Sequence, residues 1–509
     1  RHVISSSDRR AWLNDWASSA RAQRKLGGSK GAQVAGARGI VTNLARRHQL
    51  WPDRLALVMA GVHATTDVML HRGYPAREAR IKLTGDAATY GFYPGYGVQL
   101  QPLFTFAEGN QLANAGNLVG ATAIADRMLD FDTSKPHYRA WEYAFPWQGT
   151  ELPWISGMTQ ATAMQFYSHM WNLTAKDDYL VTAKAAMPGF LRTASQKGVK
   201  TYDGSGRWFL LYPFNPDQRI LNGHLQALIG LSDYAEWSGD TRATSLVQDG
   251  IAAVTPLLGK FDTGAWSRYQ YDQEADLGYH DLMTTQFNKL SNRIVATDPT
   301  TSQIFRDYGT RFGQYRVTAP QTSVSATTSG ALYPIIDGFR DTVSTSFFID
   351  KRSTVVISVV DANETVVRTY RDSYARGTYP FAWDGHTSGH RIAPAGIYHL
   401  RIRATDIAAN RSTMDAPTSL VVRADTTAPE FSHVKVAAAG AARTKFTVNV
   451  IESESGFVTV RIVRGGTVVG KAQVGKHGGN LFVPMARSKL KHVTVLVTDS
   501  SGNRATFLL

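Results

Sequence analysis

The run Leu221-Asn222-Gly223-His224-Leu225-Gln226-Ala227-Leu228-Ile229-Gly230-Leu231, closing at Ser238-Gly239-Asp240, decides how the first two thirds of this 509-residue chain are read. Leu225, Leu228, Ile229 and Leu231 fall at three- and four-residue intervals, the spacing of one helix face. Ser238-Gly239-Asp240 reads as a helix-to-helix turn, as does Thr174-Ala175-Lys176-Asp177. The same pattern recurs over 108–130, 156–174, 177–196, 221–237, 241–258, 278–295 and 300–315. Repeated antiparallel helix pairs of this length predict an α/α-toroid-like helical domain or a partial solenoid, and the concave face of a toroid suits a long polymer.

The first third extends the helical reading. Asp8 to Leu26, Gly36–Leu50 and Pro52–Arg72 are predicted helices, the last with proline in its first turn. Tyr90-Gly91-Phe92-Tyr93-Pro94-Gly95-Tyr96-Gly97 breaks the pattern and reads as loop or short strands, and Tyr93 is a candidate sugar contact. After about residue 320 the period changes to two: Val355-Val356-Ile357-Ser358-Val359-Val360 and Tyr398-His399-Leu400-Arg401-Ile402-Arg403 read as strands of a β-sandwich. The expected architecture is multidomain: a helical catalytic region over 1–320, a sandwich over 321–423 and a second over 424–509. Thr405-Asp406-Ile407-Ala408-Ala409-Asn410-Arg411 and Thr498-Asp499-Ser500-Ser501-Gly502-Asn503-Arg504 end the two sandwiches alike, as tight turns before a final strand, with a calcium site as the other reading.

Composition narrows the chemistry. The chain has no cysteine, which excludes disulfides, thiolate catalysis and cysteine-ligated metals. Its net charge is +14, and residues 1–85 hold 15 Lys and Arg against 5 Asp and Glu, a net of +10. Such a face attracts polyanions or is simply a solvated basic surface. No helix-turn-helix, RNA-recognition or zinc-finger pattern accompanies the charge, so no nucleic-acid partner is expected. No apolar run approaches the roughly eighteen residues of a membrane span. No signal peptide is visible, and a start at Arg1 fits removal of an upstream leader or trimming.

Five blocks between 152 and 290 carry a family resemblance. They are Leu152-Pro153-Trp154-Ile155-Ser156-Gly157-Met158-Thr159-Gln160; Gly198-Val199-Lys200; Trp208-Phe209-Leu210-Leu211-Tyr212-Pro213; Leu221-Asn222-Gly223-His224; and Asp262-Thr263-Gly264 through Tyr269 to Tyr279-His280. In order and spacing this segment resembles the C-terminal domain of the D-glucuronyl C5-epimerases, and the epimerase-like core is expected over 152–315. The resemblance implies functional tyrosines at Tyr212, Tyr269 and Tyr279. It also implies acidic residues just before the first tyrosine, where this chain has Leu210 and Leu211. Farther on, Tyr379-Pro380-Phe381-Ala382-Trp383-Asp384-Gly385 through Pro394-Ala395-Gly396-Ile397-Tyr398 resembles the immunoglobulin-like module of flagellar hook-capping proteins, and Asp425-Thr426-Thr427-Ala428-Pro429 resembles a linker of tandem bacterial immunoglobulin-like domains.

The implied reaction removes a weakly acidic C5 proton beside a uronate carboxylate. That demands neutralisation of the carboxylate and a base on one face. Arg268 is the candidate to hold the carboxylate, with Asn222 or His280 helping. A tyrosine serving as base needs a cationic neighbour, and Arg268, Arg207 or His280 is the expected source of that field. Gln160, Trp154 and Trp266 complete the candidate substrate-binding set, the tryptophans as sugar platforms or as core. His224 and His280 lack a carboxylate cluster, so no metal is expected, and proton exchange implies no organic cofactor. Glu142, Glu151 and Asp262 are the acids from which a glycosidase pair would have to be drawn. The expected function is C5-proton abstraction on an acidic polysaccharide, in a secreted or cell-surface bacterial protein held there through its sandwiches. A lyase that expels the C4 oxygen after the same first step, and a non-catalytic carbohydrate-binding protein, are the alternatives.

Overall fold

The computed structural model describes residues 4–134, 138–204, 206–326, 330–335, 340–451, 457–475 and 477–509. It divides into two compact units, Arg1–Arg316 and Val317–Leu509.

The first unit is helical. Helix α1, Ser6–Leu26, is capped by Ser5, whose side chain accepts from the Asp8 amide, and Asp8 complements the dipole in the first turn. Gly27 at φ 55° breaks it from α2, Gly28–Arg46, so the second helix starts well before Gly36. Helix α3, Pro52–His71, opens on proline as expected. Residues 80–100 form a three-stranded antiparallel sheet of β1 (Arg80–Lys82), β2 (Thr89–Tyr93) and β3 (Gly97–Leu100). The β2–β3 turn lies against α2: a Cβ on Gly36 would stand 1.9 Å from the Gly95 carbonyl oxygen, so only glycine fits there.

The helix expected over 108–130 is two, α4 (Pro102–Asn114) and α5 (Leu118–Leu129). Gly116 at φ 75° turns the chain, and the Asn117 side chain caps α5 through the Gly120 amide at 3.0 Å. Next come α6 (Gly157–Thr174), α7 (Asp177–Ala186) and the single turn α8 (Pro188–Leu191). The 177–196 segment is interrupted because Pro188 lacks the amide needed to continue α7. Helices α9 (Leu221–Ser238), α10 (Thr241–Val254), α11 (Leu277–Ile294) and α12 (Pro299–Val317) lie where the apolar periodicity puts them. Gly239 at φ 68° closes α9 and the Asp240 side chain caps α10.

Helices α6 and α9 form the central pair. Helix α6 is flanked by α4 and α7, and α9 by α10 and α11. One apolar core runs from Val34 to Phe312. Leu225, Leu228, Ile229 and Leu231 are all within it. Among the described residues no helix is long and apolar enough to cross a membrane.

The second unit is β-rich, with two separate apolar cores. Strands Val343–Ile349 and Gly377–Trp383 alternate buried and open residues. They belong to a three-stranded sheet that shares its core with a four-stranded sheet containing Ser353–Asp361 and Gly396–Asp406. Trp383 and Tyr398 meet in that core at 5.1 Å between ring centroids. From Phe431–Ala438 to Arg504–Leu508 the strands join in one seven-stranded sheet, hydrogen-bonded throughout, around its own core of Phe446, Val460 and Val495. The two matching turns each use one carboxylate oxygen locally. Asp406 Oδ1 accepts from the amides of Ala408 and Asn410, and Asp499 Oδ1 accepts from the Asn503 amide at 2.7 Å.

Candidate active site

A cavity of ≈ 490 Å³ opens in the helical unit. Its wall is built from the first turns of four helices. Gln101 and Leu103 flank the start of α4, Ser156 and Met158 that of α6, Asn222 is the second residue of α9, and Asp276, Gly278 and Tyr279 surround the start of α11. Helix N-termini carry partial positive charge, so four of them around one space lean its field towards an anion, even though the Gly157, Thr159 and Tyr279 amides are already taken by Leu210, Ser156 and Asp276. Arg80, on β1, lines the same cavity with its guanidinium 4.0 Å from the centroid of the Phe104 ring. Glu78 lines it too, from a residue at φ 60° whose amide donates to the Phe92 carbonyl at 2.8 Å.

Three of the candidate aromatic residues line this cavity with Tyr279: Tyr212, Trp154 and Tyr93. Tyr212 follows strand Gly206–Phe209 and stands 6.0 Å from Trp154 between ring centroids. Trp154 is fixed by its indole N–H donating to the Phe145 carbonyl at 2.7 Å and by stacking on Tyr143 at 4.1 Å. Tyr93 is buried, stacked on Phe145 at 3.8 Å, and its hydroxyl accepts from the Gln101 amide. Tyr269 is not in the wall; its ring packs on that of Tyr279 at 4.7 Å, and its side chain hydrogen-bonds with Tyr212.

All these phenols are held neutral. Burial raises Tyr212, and the charge of Glu78 adds to the rise, while hydrogen bonding with Tyr269 and Trp147 opposes it. Tyr279 is pushed up to about 12, first by burial, then by Tyr212, Asp276 and Glu78. Tyr269 rises further for the same reason, burial first and Tyr212 and Tyr279 next. A phenol in this state gives a proton and does not take one at neutral pH. The cationic field expected to activate a tyrosine base is not what these tyrosines meet.

The residues proposed to supply that field lie elsewhere. Arg268 donates to the carbonyls of Lys260 at 3.2 Å and Tyr271 at 3.1 Å. Arg207 is paired with Asp249 at 2.6 Å. His280 is buried, its Nδ1 2.7 Å from the Ser267 hydroxyl and its Nε2 2.9 Å from the Phe312 carbonyl, with Trp266 stacked on it at 3.7 Å. Gln160 spends its amide on the backbone of Trp141, donating at 2.9 Å and accepting at 3.1 Å. His224 is likewise committed: Nδ1 accepts from the Phe209 amide at 2.9 Å and Nε2 lies 3.0 Å from the Gly250 carbonyl. Of the stray acids, Glu142 forms a buried pair with Arg54 at 2.6 Å, Glu151 is on Arg47, and Asp262 is on Arg311 at 3.1 Å.

Leu211 lines the cavity and Leu210 is buried beneath it, its carbonyl accepting from the Gly157 amide at 2.9 Å. The acids facing the cavity come instead from Glu78 and Asp276. Asp276 also caps α11, accepting from the Tyr279 amide at 2.8 Å. Glu78 and Arg80 precede the resembling segment by more than seventy positions, and no motif there marks them. Two acceptors in the wall, Asn222 Oδ1 and Gln101 Oε1, are buried and take no hydrogen bond among the described residues. Such atoms are costly unless a donor reaches them. Among the described residues no group of His, Asp or Glu is arranged to hold a metal ion.

Residues 135–314 match the family model for the D-glucuronyl C5-epimerase C-terminus. The chain is 24% identical over 146 residues to the uncharacterized protein MJ1128 of Methanocaldococcus jannaschii, covering 28% of this chain and 47% of that protein. It is 27% identical over 128 residues to the D-glucuronyl C5-epimerase of Caenorhabditis elegans, covering 23% of this chain and 21% of that protein. The chain thus spans less than half the length of either curated relative. Among solved structures, a sugar epimerase from a ruminal bacterium aligns with a TM-score of 0.31 at 7% identity, over 42% of this chain and 58% of that one.

Proposed function

We propose that the protein abstracts the C5 proton of glucuronate residues in an acidic polysaccharide. The observation that carries this reading is the convergence of four helix N-termini and Arg80 on a cavity walled by neutral tyrosines, with the Glu78 carboxylate at its edge. The match of residues 135–314 to the epimerase C-terminus model supports the choice of substrate.

In this mechanism the uronate carboxylate sits against Arg80 and the helix N-termini, which stabilise the charge that builds on it as the C5–H bond breaks. Glu78 takes the proton, in place of the acid that Leu210 and Leu211 cannot supply. The neutral phenol of Tyr279 then delivers a proton to C5; its phenolate is reprotonated from water, and Glu78 gives up the abstracted proton to the hydroxide left behind. Delivery to the opposite face inverts C5. Asn222 Oδ1 and Gln101 Oε1 accept from sugar hydroxyls. Tyr269 buttresses Tyr279. The two β modules, read as immunoglobulin-like, hold the enzyme at a cell surface or accompany it outside the cell.

The test is incubation with unsulfated glucuronate polymers in deuterated water, with NMR at C5 and ultraviolet absorbance followed together. Deuterium at C5 without new absorbance is expected, and Tyr279→Phe should abolish it. Rising absorbance from a new C4–C5 double bond would instead assign a lyase, the outcome that loss of the family's acids favours. If neither signal develops, the reading is overturned.

A further inference from the structure

A second cavity, of ≈ 550 Å³, adjoins the first, and Trp154 lines both. One side of it is the turn into α3, with Arg47 and Trp51; the other is formed by Lys197 and Phe214. Its shape is fixed by aromatic packing. Phe214 meets Trp154 edge-on at 5.4 Å. The Trp51 ring is 41% exposed, with its indole N–H on the His48 carbonyl at 3.1 Å and the Arg54 guanidinium 4.2 Å from its centroid.

The charge of this cavity is positive. Arg54 is neutralised internally by Glu142. Arg47 is paired with Glu151, but that carboxylate is 82% exposed and exchangeable with another anion. Lys197 stands at φ 63° with its carbonyl fixed by the Tyr138 hydroxyl; its side chain is exposed and makes no ion pair among the described residues. A part-exposed indole across the cavity from the Lys197 ammonium matches a pyranose ring that carries a carboxylate, and the volume falls in the range of a ligand site, about 300–1,000 Å³.

We propose that this cavity is a subsite for a second uronate of the same polysaccharide chain, two sugars along from the one in the tyrosine-walled cavity or next to it, with Lys197 reading its carboxylate and Trp51 its ring. The proposal rests on the function proposed above and deepens it. The substrate is then recognised as a polymer, and the basic N-terminal third contributes through Arg47 and Trp51, outside the segment that matches the epimerase model.

Calorimetric titration of the full chain with unsulfated glucuronate disaccharide, tetrasaccharide and hexasaccharide tests this. The longer sugars should bind about tenfold more tightly than the disaccharide, and Lys197→Gln or Trp51→Ala should each erase most of that advantage while leaving disaccharide affinity unchanged. A carboxyl-reduced hexasaccharide should show no loss on Lys197→Gln. Thermal melts of both variants establish that they are folded. If the disaccharide binds but length and the two substitutions make no difference, the subsite is refuted and the proposed function stands. If Lys197→Gln removes the length advantage but Tyr279→Phe leaves C5 exchange intact, the subsite stands and the reaction assignment fails. If none of these sugars binds, both are overturned.

Discussion

Acid should loosen the helical unit through one histidine. His224, one turn into α9, is fully buried, stacked on Trp208 at 4.2 Å, and its Nδ1 accepts from the Phe209 amide. That acceptor role requires a neutral ring with its proton on Nε2, facing the Gly250 carbonyl. Protonating Nδ1 would set two N–H groups against each other in a site without water-like solvation. Burial lowers the pKa of His224 from 6.5 to about 4. The unfolded chain therefore takes up the proton first. The stabilisation is complete above the unfolded value of 6.5 and drains away as pH falls towards about 4. Its full size is on the order of 3 kcal/mol, of which about 2 kcal/mol is gone by about pH 5. For a unit of this size that corresponds to a fall in the melting temperature on the order of 3 °C. Urea denaturation followed by tryptophan fluorescence at several pH values measures it. His224→Gln should lower stability at neutral pH but flatten the acid limb, so the difference between wild type and variant isolates this residue from other titrating groups. Parallel acid limbs in the two proteins would refute the reasoning. Because the strand behind His224 leads directly into Leu211 and Tyr212, C5 exchange should fall along with stability in the wild type.

Glu78→Gln should lower C5 exchange by about 10²–10⁴ without moving the urea midpoint, since Glu78 is exposed at the cavity edge; an unchanged rate would remove it as the base. Arg54→Leu leaves Glu142 without the guanidinium it meets at 2.6 and 2.9 Å, both side chains being buried, and should cost about 3–5 kcal/mol in urea denaturation; a loss below ~1 kcal/mol would show the pair to be hydrated. Gly230→Ala places a Cβ 2.4 Å from the Ala161 carbonyl oxygen, where α6 and α9 touch, and should destabilise by about 1–3 kcal/mol. An unaffected midpoint would mean that the helix pair separates at no cost.

Much of the fold was legible because it rests on short-range periodicity. The three- and four-residue spacing of Leu225, Leu228, Ile229 and Leu231 places α9, and Gly239 with Asp240 ends it and starts α10, since a positive φ and a side-chain cap are local requirements. Period-two alternation likewise exposes Tyr398-His399-Leu400-Arg401-Ile402-Arg403, which lies in the half-buried strand Gly396–Asp406. The breaks at Gly116 and Pro188 were written in the chain too, and a helix drawn across them ignored residues that cannot continue it. The site was legible only where a side chain's neighbours lie on its own segment. The family resemblance pointed to Tyr212 and Tyr279, and the chemistry it implies to Asn222 and Trp154; these four line one cavity. That chemistry pointed equally to Arg268 and His280, yet backbone carbonyls hold the first and a closed hydrogen-bond pair holds the second. Only tertiary packing decided which cation and which carboxylate face the tyrosines. Arg80 and Glu78 reach them from a sheet edge far along the chain, and proximity across such a gap leaves no periodic or local mark in sequence. The direction of the tyrosine pKa values was decided there as well, because desolvation depends on what the whole unit buries and not on the residues on either side.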